Sequence, residues 1–272
     1  MVVKEMYRVL KFICCIDSFR MSVLWTLSLV FCHLRLFYRR IRGHNSGIVP
    51  RQSVVPVSAG KRPICIVTGA TSGLGAAAAE ALSKEVGRSG HLLSKTMVDI
   101  RKVNANVQLE AFEVDLSSFS SIMKFKNSLT QWFLDMNLHP SIQLLINNAG
   151  ILATSSRVTS DGLDEMMMTN YMGAFCLTKV LLPLLINSPV PSRVVNVSSF
   201  THRNVTDMLV IEDFISGKSF PKFKQYPFAR VYECSKLCIL LFSYEMHQQI
   251  CKAKASQMSV NIADPGAVKQ TL

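Results

Sequence analysis

The sequence predicts an α/β domain, built as a doubly wound parallel sheet between two layers of helices and preceded by an N-terminal apolar helix. Three observations carry this prediction. After residue 62, short apolar runs alternate with longer stretches of helical spacing, which is typical of parallel sheets with crossover helices on both faces. A glycine-rich loop follows the first apolar run directly, and an apolar, basic leader precedes the whole pattern.

Strand and helix candidates alternate through residues 63–272, which are predicted to form one three-layer αβα domain. The strand candidates, which are short and apolar, are residues 64–67, 108–114, 143–146, 193–197 and 259–263. The helix candidates, which carry helical apolar spacing, are residues 74–84, 91–103, 118–135, 163–187 (interrupted near Pro183) and 230–254.

The predicted sheet is incomplete at two places. Residues 85–90 offer a single apolar residue where a doubly wound fold needs a second strand of about five to six residues. This segment is too short and too polar for a buried parallel strand. The sequence also ends at Leu272, soon after the last predicted strand, so the domain is expected to lack one internal strand and a C-terminal segment.

Charge is concentrated ahead of the domain. The chain has 272 residues and a net charge of +12, of which +9 belongs to residues 1–62. A nucleic-acid surface needs basic residues gathered on a folded face, so no nucleic-acid partner is predicted. The 8 cysteines lie in the leader or in predicted strands and helices, without metal-ligand spacing, so reduced thiols and no metal site are predicted.

Residues 21–38 are predicted to anchor the protein to a membrane, between a basic segment (1–20) and a basic linker (39–62). The uninterrupted apolar length is short of the roughly 20 residues that span the hydrocarbon core. The arginines after the segment would place the domain on the cytosolic side, with the endoplasmic reticulum as the expected membrane. A plastid or mitochondrial transit peptide and an amphipathic interfacial helix are the alternatives.

The glycine-rich loop is a candidate dinucleotide site. Residues 68–75 read Thr-Gly-Ala-Thr-Ser-Gly-Leu-Gly between a predicted strand and an alanine-rich helix, the context of a Rossmann-like phosphate loop. Gly69 permits the sharp turn, Gly73 lets the backbone approach a pyrophosphate, and Gly75 lets the helix pack closely. The helix N-terminus would offer N–H groups to the phosphates. The loop residues predicted to bind the cofactor are Gly69, Thr71, Ser72, Gly73, Leu74 and Gly75.

Tyr232 and Lys236 form the candidate catalytic pair. Their i, i+4 spacing on a predicted helix places both side chains on one face. An ammonium beside a phenol favours the phenolate and lowers the tyrosine pKa, which suits a proton donor and acceptor. The same spacing occurs at Tyr7 in the leader, but the pair at 232 and 236 follows a strand whose exit would hold Ser199 near a cofactor.

These motifs and their order resemble the short-chain dehydrogenase/reductase family over about residues 62–272. The matching segments are residues 68–75, 115–116, 147–150, 170, 199, 232, 236 and 264–266. The long stretch between Ser199 and Tyr232 and the apolar leader resemble the retinol-dehydrogenase-like branch. Residues 117–128 and 199–204 are similar to a membrane-associated plant member of that branch.

The resemblance implies hydride transfer between a nicotinamide and an alcohol or carbonyl carbon. It implies that Tyr232 exchanges a proton with the substrate oxygen and that Lys236 holds the cofactor ribose and tunes Tyr232. It further implies that Ser199 hydrogen-bonds the substrate oxygen, and that Asn170 supports a water that links Lys236 to solvent.

The resemblance also implies the remaining cofactor contacts, which are Asp115, Leu116, Asn148, Ala149, Gly150, Pro265 and Gly266. Asp115 would meet the adenine and Asn148 the adenosine ribose. Arg88 stands where family members that prefer NADP carry a base for the 2′-phosphate, so NADP(H) is favoured over NAD(H).

Three functions stay open at this point. The first is an NAD(P)(H)-dependent oxidoreductase acting on an apolar alcohol or ketone, with the membrane and a second copy of the chain as further partners. The second is a catalytically impaired nucleotide-binding or partner-binding variant, because a strand and the C-terminal segment are missing. A membrane-surface protein that acts through its leader is a third. Singly, Asn148 could close a turn and Asp115 could cap a helix.

Overall fold

The computed structural model of the chain describes residues 16–42, 63–85, 109–206, 211–216, 225–253 and 257–266. One long helix, α1 (Ile16–Ile41), precedes the domain. The strands are β1 (Cys65–Val67), β2 (Leu144–Asn147), β3 (Ser192–Val197) and β4 (Met258–Ala263). The helices that follow α1 are α2 (Gly73–Glu85), α3 (Phe119–Asp135), α4 (Glu165–Met167), α5 (Gly173–Ile186), α6 (Ile211–Ile215) and α7 (Phe228–Lys252).

The described strands form a parallel sheet in the order β1-β2-β3-β4. Val67 at the end of β1 pairs with Ile146, and Val197 at the end of β3 pairs with Ala263. The carboxyl ends of these strands therefore meet at one edge of the sheet. The predicted Rossmann-like α/β fold with a parallel sheet is confirmed.

Most predicted element boundaries agree with the structure within two residues, but the long helix at 163–187 does not. It is divided into α4, a π-helical turn (Met168–Met172) and α5. Pro183 does not interrupt α5, which continues to Ile186. A proline in the last turn removes one backbone hydrogen bond, and the exposed position of Pro183 leaves room for its ring.

The strand predicted at 108–114 is wrong for the described part, because residues 109–114 form no strand. No described strand lies along the outer edge of β1, and a strand needs a neighbour to pair its N–H and C=O groups. Side-chain packing holds the segment instead, since the Phe112 ring lies edge-on to Phe125 with centroids 5.5 Å apart. The helix predicted at 91–103 and the gap at 86–90 lie outside the described residues.

The core is formed by the sheet together with α3, α5 and α7. Its innermost side chains come from all three helices and from β2 and β3: Ile122, Phe125, Leu129, Phe133, Leu145, Leu177, Leu181, Leu185, Val194, Ile239 and Phe242. Among the described residues, the stretch Glu165–Ile186 alone is long and apolar enough to cross a membrane by length and composition. Its inward side chains are part of this core, as is typical of a core helix.

A buried polar network joins the layers near the carboxyl edge of the sheet. Asn147 on β2 donates from Nδ2 to Thr178 Oγ1 at 2.8 Å and to Asn196 Oδ1 at 2.7 Å. Asn196 on β3 donates in turn to Ser243 Oγ on α7 at 2.7 Å. Buried polar groups that are paired in this way fix one arrangement of the layers.

Gly173, the first residue of α5, lies against the backbone of the turn after residue 114. An alanine Cβ at position 173 would lie 2.1 Å from the Leu116 carbonyl oxygen, so Gly173→Ala must displace one of the two segments. We expect a loss of about 1–3 kcal/mol in the free energy of unfolding, measured by urea denaturation.

The control is Lys124→Ala at an exposed position on α3, which should change the free energy of unfolding by less than about 0.5 kcal/mol. Equal stabilities of Gly173→Ala and the unsubstituted chain would contradict this close approach.

Candidate active site

The segments that carry the predicted site residues leave the sheet at one edge. The glycine-rich loop follows β1, residues 148–151 follow β2, Ser199 follows β3 by two residues, and residues 264–266 follow β4. In open α/β sheets, ligands bind in the crevice outside the carboxyl ends of the strands. The strand order therefore places these segments where a ligand site is expected.

The glycine-rich loop has the tight geometry predicted for it. Gly69 has a φ of +64° and its Cβ position lies 3.0 Å from Ala149 Cα, so a larger residue would be both strained and crowded. A Cβ on Gly75 would lie 2.2 Å from the Gly69 carbonyl oxygen, which shows how closely α2 packs against the loop. Gly73 has a φ of +52° and faces open space, and the loop is exposed from Thr71 to Leu74.

Thr68 connects the loop after β1 to the exit of β2, a role that sequence reasoning missed. Its Oγ1 accepts hydrogen bonds from the N–H groups of Asn148 and Ala149, both at 3.0 Å. Asn148 Nδ2 donates back to the Thr68 carbonyl at 3.1 Å. The Asn148 side chain therefore fixes the floor of the predicted cofactor site. The sequence did offer a signal for this role, because Thr68 is the first residue of the glycine-rich motif.

Asn170 lies on the π-helical turn and is buried, with 2% of its surface exposed. Its Oδ1 accepts from Ile151 N at 2.7 Å and its Nδ2 donates to Ile151 O at 2.9 Å. Nδ2 also lies 3.2 Å from Ser235 Oγ, to which it donates. The extra residue of a π turn re-aims a side chain, and here the amide joins the exit of β2 to α7.

Lys236 on α7 is 5% exposed, and its Nζ donates to the Val197 carbonyl at 3.1 Å. Burial lowers the pKa of Lys236 from 10.5 to about 8, because desolvation disfavours the charged form. A Cβ on Gly150 would lie 3.4 Å from this Nζ and 3.3 Å from Asn170 Oδ1. Gly150 thus leaves open the space beside the ammonium.

Tyr232 lies one turn before Lys236, whose Nζ is 5.6 Å from the centroid of the Tyr232 ring. Burial raises the pKa of Tyr232, while a hydrogen bond with Ser199 lowers this pKa and the Asp264 carboxylate raises it. The expectation of a lowered Tyr232 pKa is therefore wrong, because burial is the largest effect and the net shift is upward. The structure brings Tyr232, Lys236 and Ser199 together.

Asp115 and Leu116 have local structural contacts. The exposed Asp115 Oδ1 accepts from Ser117 N at 2.8 Å and from Ser117 Oγ at 2.7 Å. Ser118 rather than Asp115 is the N-cap of α3, so the capping interpretation of Asp115 is wrong. The Leu116 side chain is 5% exposed and belongs to the core.

The segment after β4 is exposed and turns at Gly266, which has a φ of +68°. Gly266 N donates to Asp264 Oδ1 at 3.0 Å, and Pro265 lies between them. Arg203 Nη2 is 3.7 Å from Asp264 Oδ2, which connects this turn to the 3₁₀ helix (Phe200–Asn204) after Ser199. Arg88, the predicted 2′-phosphate contact, lies outside the described residues.

The profile of the family described as "short chain dehydrogenase" matches residues 63–209, more than half of the chain. The chain belongs to this family. The human polyprenol dehydrogenase is 32% identical over 214 residues, which cover 75% of this chain and 60% of that protein. The mouse polyprenol dehydrogenase is 31% identical over 270 residues, which cover 93% of this chain and 74% of that protein. The chloroplastic short-chain dehydrogenase TIC 32 A of Brassica napus is 28% identical, and the match covers 78% of this chain and 66% of that protein.

Solved structures share the fold. An uncharacterized protein from Mycobacterium paratuberculosis has a TM-score of 0.57 and 30% identity, and the match covers 75% of this chain and 68% of that chain. The NADP complex of Pseudomonas aeruginosa RhlG has a TM-score of 0.55 and 21% identity, with coverages of 78% and 75%. A short-chain dehydrogenase from Burkholderia phymatum in complex with NAD has a TM-score of 0.53, 16% identity and coverages of 74% and 64%.

Lys236→Met is expected to stabilise the protein near neutral pH, because methionine keeps the aliphatic length without burying an ammonium. The folded pKa of about 8 lies below the unfolded value of 10.5, so the gain is complete below pH 8 and disappears as pH rises to 10.5. The gain is roughly 3 kcal/mol or less near pH 7, measured by urea unfolding at a series of pH values.

Lys179→Met, at an exposed position on α5, is the matched control and should show no such pH-dependent difference. A lower stability of Lys236→Met near pH 7 would mean that the hydrogen bond to Val197 outweighs the cost of burial.

Proposed function

We propose that the chain is an NAD(P)(H)-dependent oxidoreductase that interconverts an alcohol and a carbonyl compound. One observation carries this proposal: a half-buried phenol that is hydrogen-bonded to a serine hydroxyl lies beside a buried ammonium at the carboxyl edge of the sheet. The residues are Tyr232, Ser199 and Lys236. The solved relatives in complex with NAD and with NADP support a nicotinamide cofactor of either kind. NADP(H) is the preferred cofactor in this proposal, because Arg88 stands where family members that prefer NADP carry a base for the 2′-phosphate.

The residues present fit a bound dinucleotide. The exposed turn from Thr71 to Leu74 begins α2, whose first turn carries no acidic residue, so its N–H groups can face the phosphates. The open space at Gly150 lies beside the Lys236 ammonium, which would hold the ribose hydroxyls. The exposed Pro265 and Gly266 would border the nicotinamide. When bound, the nicotinamide supplies or accepts the hydride.

The chain's own residues handle the proton. In reduction, the Tyr232 hydroxyl donates its proton to the substrate oxygen while the carbonyl carbon gains a hydride, and an alcohol results. In oxidation, the tyrosinate takes the alcohol proton as the hydride leaves. Ser199, which is hydrogen-bonded to Tyr232, orients the substrate oxygen. The Lys236 ammonium stabilises the tyrosinate. Asn170 hydrogen-bonds both Ile151 and α7, and thereby fixes the segment after β2 relative to that helix.

The substrate is proposed to be an apolar alcohol or ketone. Matched relatives are named polyprenol dehydrogenase and retinol dehydrogenase, and both names specify long hydrocarbon alcohols. The human polyprenol dehydrogenase extends beyond the match, since the chain spans 60% of its length.

The helix α1 supports membrane attachment. One face carries an exposed apolar stripe at helical spacing: Phe19, Val23, Leu27, Val30, Leu34, Phe37 and Ile41. The opposite face contacts the domain, for example through Trp25 and Ser28. A helix with one face on protein and one apolar face free suits attachment in the plane of one leaflet. We place the domain on the cytosolic side of the endoplasmic reticulum, with a plastid or a mitochondrion as the alternative; one relative is named as chloroplastic.

Tyr232→Phe is expected to abolish turnover while leaving dinucleotide binding intact. Removing the proton donor should lower kcat by roughly 10²–10⁴-fold, measured with NADPH and a panel of aliphatic aldehydes and ketones. The NADPH-dependent rise in Tm should persist, because phenylalanine keeps the ring.

Unchanged kcat in Tyr232→Phe would refute the proton-transfer role. No rise in Tm of the unsubstituted chain with either NADPH or NADH would refute the dinucleotide site. A rise in Tm without turnover on any substrate would favour the impaired, nucleotide-binding alternative.

Leu27→Glu is expected to weaken binding to phosphatidylserine-containing vesicles by roughly tenfold or more, because an exposed leucine that would enter the membrane is replaced by a charge in the stripe. Ser22→Glu adds the same charge at an exposed position outside the stripe and is the matched control. Vesicle co-sedimentation measures both variants. Equal loss in the two variants would mean that net charge, rather than the apolar stripe, governs binding.

A further inference from the structure

A buried carboxylate next to the catalytic tyrosine is held by the N-terminal helix. Glu233 follows Tyr232 on α7, and its side chain is 1% exposed. Its Oε2 accepts a hydrogen bond from Arg20 Nη2 at 2.7 Å, and its Oε1 accepts one from Trp25 Nε1 at 2.9 Å. Both donors belong to α1. A buried carboxylate without its partners is strongly unfavourable, so these bonds fasten α1 to the turn of α7 that carries Tyr232.

Trp25 also contacts the aromatic rings beside the two catalytic hydroxyls. Its indole lies 5.5 Å from the Tyr232 ring, centroid to centroid, with an interplanar angle of 41°. It lies 6.3 Å from the Phe200 ring in an edge-on arrangement, and Phe200 follows Ser199 directly. Both distances are within the range in which aromatic rings attract each other. A single residue of α1 thus touches the surroundings of both Tyr232 and Ser199.

Further contacts join α1 to the 3₁₀ helix of which Ser199 is the N-cap. Ser28 Oγ donates to Asn204 Oδ1 at 2.9 Å, and Arg203 Nη1 donates to Cys32 Sγ at 2.7 Å. The helix α1 therefore contacts both the element that begins at Ser199 and the element that carries Tyr232. Its inward face bridges the two.

We propose that α1 is a clamp that fixes Tyr232 and Ser199 relative to each other, with Trp25 as its positioning residue and as an aromatic wall of the substrate cleft. The proposal rests on the proposed oxidoreductase function. A substrate oxygen must reach both hydroxyl groups at hydrogen-bond distance, and a misplacement of about 1 Å can cost roughly a hundredfold in rate. The aromatic wall suits an apolar substrate chain.

The kinetic test uses the full chain with NADPH and decanal as the probe. Trp25→Ala should lower kcat roughly tenfold, because the ring that positions Tyr232 is lost. Trp25→Phe should recover most of this loss, because it keeps an aromatic ring while removing the indole N–H. The KM for NADPH should stay unchanged in both. Ser22→Ala, at an exposed position on the same helix, is the control.

The pH profile distinguishes positioning from a loss of folding. Among the described residues, the charged groups that act on Tyr232 are Lys236, whose Nζ lies 5.6 Å from the ring centroid, and the Asp264 carboxylate, while the Arg20–Glu233 ion pair lies on the α1 side. Burial raises the pKa of Tyr232, so removing the indole should admit water and lower it. Reduction requires the protonated phenol, and the alkaline limb of kcat should therefore shift to lower pH in Trp25→Ala. An unshifted limb with unchanged kcat would overturn the proposal.

Thiol labelling tests the clamp without any measurement of activity. Cys32 is half-buried against Arg203, while Cys251 on α7 is exposed and serves as the internal reference. Glu233→Gln should weaken the bonds to α1 and increase the rate at which iodoacetamide labels Cys32 relative to Cys251, read by mass spectrometry. Ser22→Ala should not change this ratio.

The outcomes separate the two proposals. An unchanged Cys32 ratio in Glu233→Gln refutes the clamp, even where NADPH raises Tm and the oxidoreductase function stands. An increased ratio without any effect of NADPH on Tm refutes the dinucleotide function, while α1 is still shown to be held by Glu233.

Discussion

The arrangement of the site depends on the burial of one ammonium. A charge at Lys236 can leave water only where the surrounding backbone is fixed and an acceptor is in place, because desolvation is costly. Val197 supplies the carbonyl, and Gly150 leaves the space open. Asn170 holds the exit of β2 through paired hydrogen bonds to Ile151, so that this space keeps its shape. Tyr232 lies one turn before Lys236 on α7, so that the contacts that hold Lys236 also position the phenol.

Polar contacts, more than the apolar core, determine how the strand exits meet. The apolar contacts of α3, α5 and α7 with the sheet are non-directional and do not by themselves fix how the strand ends are aligned. Hydrogen bonds are directional, and a buried group left unpaired costs more than a formed bond contributes. The Asn147–Asn196 pair and the Thr68 hydroxyl each join two elements at the carboxyl edge. These hydrogen bonds fix the relative positions of the segments against which a dinucleotide would lie.

The sequence was sufficient for features that depend on local chemistry. The strands β1 to β4 followed from short apolar runs, and the roles of Gly69 and Gly75 followed from the loop between strand and helix. The strand at 108–114 failed because strand formation depends on a neighbouring chain that local pattern does not reveal. The predicted direction of the Tyr232 pKa shift was wrong because burial, the largest effect, depends on packing that the sequence does not show. The π turn that turns Asn170 inward carries no distinct sequence signal.

The helix α1 shows why a single pattern can serve two purposes. An apolar stripe beside polar residues is typical of a membrane-surface helix, and sequence reasoning assigned α1 to the membrane alone. Two polar residues of α1, Arg20 and Ser28, contact the domain instead. A helix with its side chains is about 10–12 Å across. If α1 attaches to a membrane as proposed, the leaflet lies about one helix diameter from Tyr232, so that the proposed apolar alcohol has a short path from the leaflet to the phenol.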